Sequence, residues 1–118
     1  MSIETQAILP SHYTSDQLSK ILKSECQVKI EDVRAMHRPE YNIIEFIDNR
    51  GKLQALNVFL NSYAGPDYAT IYSGESTLVT VEFSPWNFDV ICALVASTGG
   101  FVQRSNGEPW KRIMVKTT

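Results

Sequence analysis

His12, His37, Cys26, Cys92 and Ser84 are the residues of this 118-residue sequence from which catalysis would first be sought. A histidine acts as acid or base only when a carboxylate or hydroxyl partner orients it within hydrogen-bonding reach. His12-Tyr13 stands just ahead of a helix start, and His37 falls in Met36-His37-Arg38-Pro39-Glu40, a connecting run where polar side chains are expected anyway. Cys92 is placed on the apolar stripe of a helix, where a thiol behaves as a small hydrophobe with a raised pKa. Cys26 ends a helix rather than starting one, so it lacks the placement that activates thiols. Phe83-Ser84-Pro85 reads as a helix cap, not as the Gly-x-Ser-x-Gly turn of a serine nucleophile. Metal binding has no paired histidines at helical spacing, no Cys-x-x-Cys and no acid-rich loop to build on. No cofactor is expected either. Gly99-Gly100 follows a helix instead of opening one, which makes it a C-cap and not a phosphate cradle.

The elements that would position these residues are marked by local signals. Ile3 to Leu9 reads as a strand stopped by Pro10. Thr14-Ser15-Asp16-Gln17 is a capping box, and Leu18, Ile21 and Leu22 continue it as a short amphipathic helix to about Glu25. Gln27 to Met36 alternates apolar and charged residues as a half-buried strand does. Tyr41 to Ile47, the turn Asp48-Asn49-Arg50-Gly51, and Lys52 to Leu60 form a hairpin. Asn61 to Asp67 has loop composition, and Tyr68 to Tyr72 and Thr77 to Phe83 read as two more strands. Ser84-Pro85 opens a second helix with Phe88, Ile91, Cys92 and Val95 as its stripe, ended by Gly99-Gly100. Phe101 to Ser105, the turn Asn106-Gly107, and Trp110 to Val115 make a closing hairpin.

Two helices with one apolar stripe each need one sheet face as cover. The expected fold is therefore a single α+β domain over residues 1–118. It is a two-layer sandwich: a mainly antiparallel sheet with two helices on one face, ferredoxin-like with an inserted β-hairpin.

Composition narrows the partners. A 43% hydrophobic and 20% charged chain can build its own core, and a net charge of −2 gives no overall attraction to nucleic acid or anionic membrane. Gly100-Phe101-Val102-Gln103-Arg104 only faintly echoes the aromatic run of RNA-binding sheets. The apolar run Val90 to Ala96 is far too short to span a bilayer, and Met-Ser-Ile-Glu-Thr-Gln does not start a secretory signal. With free thiols this points to a cytoplasmic protein. Charge is uneven: from Phe101 onward Arg104, Lys111, Arg112 and Lys116 stand against Glu108 alone, giving +3 there and −5 on the rest.

These features point to a non-catalytic protein-interaction module, of the inhibitor or immunity type, that occludes a larger partner. Tyr63, Tyr68 and Trp110 are the expected aromatic contacts, and Arg104, Lys111 and Arg112 the basic ones. Trp86, in the first turn of its helix, is expected to staple that helix to the sheet. A homodimer through a sheet edge is a further expectation. Two other classes compete: a small enzyme or metabolite-binding domain with a pocket between helices and sheet using His12, His37 or Glu45, and an RNA- or DNA-binding module using Arg104.

Overall fold

The computed structural model describes residues 3–35, 41–60, 76–113 and 115. The strand expected from Tyr68 to Tyr72, the loop carrying Tyr63, and His37 lie outside them. The described elements run β1 (Glu4–Leu9), α1 (Ser15–Glu25), β2 (Lys29–Ala35), β3 (Tyr41–Ile47), β4 (Leu53–Leu60), β5 (Thr77–Glu82), α2 (Pro85–Thr98), β6 (Gly100–Gln103) and β7 (Lys111–Ile113). The strands form one seven-stranded sheet, ordered β2-β3-β4-β5-β1-β6-β7, and each neighbouring pair is antiparallel.

This is a small α+β fold, and its sheet is larger than a ferredoxin-like fold has. Nothing among the described strands marks the hairpin β3–β4 as an insertion. It pairs directly with β5 and extends the main sheet outward, with β2 outermost among the described strands. β1 sits between β5 and β6 because α2 carries the chain across it.

The helices form where their local signals place them. The Thr14 hydroxyl accepts the Gln17 N–H at 3.1 Å while the Gln17 side chain accepts the Thr14 N–H at 2.8 Å, a complete capping box. At α2 the Ser84 hydroxyl accepts the Asn87 N–H at 3.1 Å, and Gly99, at φ +76°, stops the helix.

One core unites both helices with alternate residues of the sheet. Leu18 and Leu22 of α1 and Val90, Ile91, Leu94 and Val95 of α2 meet Ala7, Leu9, Ile44, Phe46, Leu56, Val58, Val79, Val81 and Val102. Burying each of these side chains other than Ala7 contributes about 1.5–3 kcal/mol against exposure. The α2 stripe is turned from the expected one: Asn87, Val90, Ile91, Leu94, Val95 and Thr98 are buried, while Phe88 and Cys92 are half-buried at its flank. A smaller cluster, Ile8 and Leu78 with Phe59 and Trp110 against them, lies apart from this core. Its residues alternate with core residues along β1 and β5, so it occupies the opposite face of the sheet. Among the described residues no helix is long and apolar enough to cross a membrane.

Candidate functional site

The most organised polar cluster grows from the β3–β4 turn. Asp48 accepts the backbone N–H groups of Arg50 at 2.8 Å and Lys52 at 3.0 Å, which fixes the turn as Gly51 takes φ +79°. The same carboxylate accepts the Arg50 guanidinium at 2.9 Å and the Gln54 amide at 3.1 Å, and its side chain is fully shielded from solvent. Burial pushes this carboxyl up. The hydrogen bonds from Lys52, Arg50 and Gln54 outweigh that and hold its pKa at about 2.

The cluster then crosses to α2. Gln54 Oε1 accepts the Asn87 amide at 3.0 Å, and the same amide nitrogen donates to the Glu82 carbonyl at 2.9 Å. Asn87 is buried and its Oδ1 has no partner among the described residues. Its neighbour Trp86 carries the Arg50 guanidinium over its ring at 3.8 Å. The chain Arg50–Asp48–Gln54–Asn87–Trp86 thus closes on itself.

Trp86 is not the staple expected of it. It is 42% exposed and absent from the core, because the buried stripe of α2 starts at Asn87 and turns Trp86 outward. Beside it a cavity of about 170 Å³ opens between the end of α1, the β3–β4 turn and α2, with Cys26, Gln27 and Asn49 in its lining. Neither thiol is a nucleophile in waiting. Burial, then Glu25, pushes Cys26 up to about 12, and burial, then Asp89, raises Cys92. The Cys26 thiol donates to the Val90 carbonyl at 3.5 Å. At pH 8 the native chain should therefore react with a thiol reagent about tenfold or more slower than the chain unfolded in guanidinium. Equal rates would contradict the raised pKa values.

The expected basic patch is only partly free. Arg104 reaches Glu108 at 3.2 Å and lies 5.3 Å over the Phe83 ring. A hydrogen bond from Ser105 and the Arg104 charge lower the Glu108 pKa. Lys111 and Arg112 are exposed on the short strand β7. Trp110, expected as a contact, is half-buried on the Ile8–Leu78 cluster. Tyr63 and Tyr68 lie outside the described residues. Of the acids and bases named for catalysis, Glu45 pairs with Arg34 at 3.5 Å, His12 is half-buried in the β1–α1 connection, and His37 is not described. No group of three or more His, Cys, Asp or Glu side chains that could hold a metal occurs among the described residues.

Sequence reasoning missed Arg50 and Trp86 as a pair, since 36 positions separate them. The pairing of β4 with β5 brings them together: the start of β4 lies beside the end of β5, where α2 begins. No model of a known protein family matches this chain, and no curated protein or solved structure matches it either.

Proposed function

We propose that this chain is a non-catalytic protein-binding module, an inhibitor or immunity-type protein that works by covering part of a larger partner. The observation that carries the reading is the Arg50–Trp86 stack, braced from behind by the buried Asp48. Tryptophan and arginine are the side chains that most often anchor interfaces, and a braced pair loses little freedom on binding. The helices, read as the second layer of a sandwich on the sheet, place this corner at the first turn of α2. Lys111 and Arg112 on β7 would steer an acidic region of the partner into place. Blocking of this kind needs roughly 1,200 Å² or more of total interface.

A partner other than a second copy is favoured because both edges of the sheet formed by the described strands resist strand pairing. β2 carries Lys29–Glu31 and Arg34–Asp32 bridges and a bulge between Ile30 and Asp32, and β7 is three residues long with two bases. The test is affinity capture with the whole tagged chain from its native cells, followed by binding measurements on the captured protein. Trp86→Ala should weaken binding about 30-fold, or about 2 kcal/mol. Reversing Lys111 and Arg112 to Glu should slow association and flatten its salt dependence. Undiminished binding by both variants would reject the reading.

A further inference from the structure

We infer that the cavity between the end of α1 and the first turns of α2 receives a basic side chain, lysine or arginine, of the protein partner. This assignment rests on the protein-binding reading above and names what that surface holds. Size sets the first limit. About 170 Å³ is many times the ~15 Å³ that one water requires, yet well below the ~300 Å³ at which sites for drug-sized ligands begin. One side chain fits that interval.

Charge sets the second. Glu25 and Asp89 both line the cavity, both are exposed, and neither has a salt bridge among the described residues. The last carbonyls of α1 add partial negative charge at the same rim. The nearby cation, Arg50, has its guanidinium on Asp48 at 2.9 Å, and Lys23 in the last turn of α1 is not part of the lining. The positive end of α2 is answered by its Ser84 cap. Asn49 adds a further polar group at the mouth.

The walls set the third. Trp86, Val90 and Ala93 form an apolar side along α2. A methylene stem can lie along it while the charged head reaches the carboxylates, as long basic side chains do. Two carboxylates beside an indole suit such an amphipathic cation better than a hard metal ion, which wants six or more oxygens.

The experiment titrates the whole, nitrogen-15-labelled chain with n-butylammonium and n-butylguanidinium, with n-butyrate as the control. Saturable, millimolar shifts confined to the amides of Gln27, Trp86 and Ala93 and to the Trp86 indole N–H are expected for both cations. They should weaken about fivefold or more in Glu25→Gln/Asp89→Asn, whose unchanged remaining spectrum reports an intact fold. Non-saturating or scattered shifts, an equal response to butyrate, or indifference to the double substitution would overturn the assignment. Binding to the captured partner separates the two ideas. If Trp86→Ala weakens it and the double substitution does not, the cavity assignment fails and the protein-binding reading stands. If neither weakens it, the cavity assignment fails, and the protein-binding reading fails with it when the Lys111 and Arg112 reversals are also without effect.

Discussion

Replacing Asp48 with alanine lowers the melting temperature at pH 7 by on the order of 10 °C. Four donors lose their acceptor at once: the N–H groups of Arg50 and Lys52, the Arg50 guanidinium and the Gln54 amide. Asp48 is buried and its four bonds are part-buried, so water replaces the lost acceptor only in part. The loss also spreads, because Gln54 holds Asn87 and Arg50 lies on Trp86. Trp86 fluorescence should change in the folded variant.

The same contact carries a pH signature. The folded carboxyl titrates at about 2 against an ordinary value of 3.8. A depressed folded pKa means the stabilisation is complete above the unfolded value and is lost as pH falls toward the folded one. The gap in melting temperature between the natural chain and Asp48→Ala should therefore be constant from pH 7 to about 5, and then close between about 4 and 2. Glu108, whose pKa is also lowered, is present in both proteins and drops out of the difference. A gap that stays constant down to pH 2 would show that Asp48 titrates normally and that the turn is held by something else.

Features set by neighbours along the chain are legible in the residues themselves. The Thr14–Gln17 box, the Ser84 cap, the Gly99 stop and the Asp48–Gly51 turn each depend on residues within four positions, and each is found. Features set by strand order are not. Periodicity cannot choose the buried face of α2, since Phe88, Val90, Ile91, Cys92, Leu94 and Val95 are all apolar and offer competing stripes. Asn87 decides it: its amide is bonded to Gln54 and Glu82, which pins that side of the helix inward. Trp110 follows a loop, and that position alone points to a contact surface. That it also packs against Ile8 and Leu78 requires β1 to lie between β5 and β6, which no local signal states. The Arg50–Trp86 corner has the same origin.

Gly100→Ala should destabilise the fold severely, while Gly107→Ala should not. Both glycines have positive φ, +132° and +85°, so both substitutions carry backbone strain. At Gly107 nothing lies within 4 Å of the added methyl, and the cost is that strain alone, about 1 kcal/mol. At Gly100 the methyl would stand 2.2 Å from the Ile8 carbonyl oxygen and 3.3 Å from its carbon. That oxygen is backbone of an interior strand and has no rotamer through which to retreat. Relief requires β6 to separate from β1, beside the Ile8–Phe101 pair that joins them. Moving β6 draws Val102 from the core and loosens the end of α2, which enters β6 through Gly99. The expected loss is roughly 4 kcal/mol or more. A domain of this size has only about 5–15 kcal/mol in total. Denaturant midpoints of the two variants measure the contrast directly. Similar midpoints would mean that the close approach of β6 to β1 can relax, and that α2 is not tied to the sheet through this glycine.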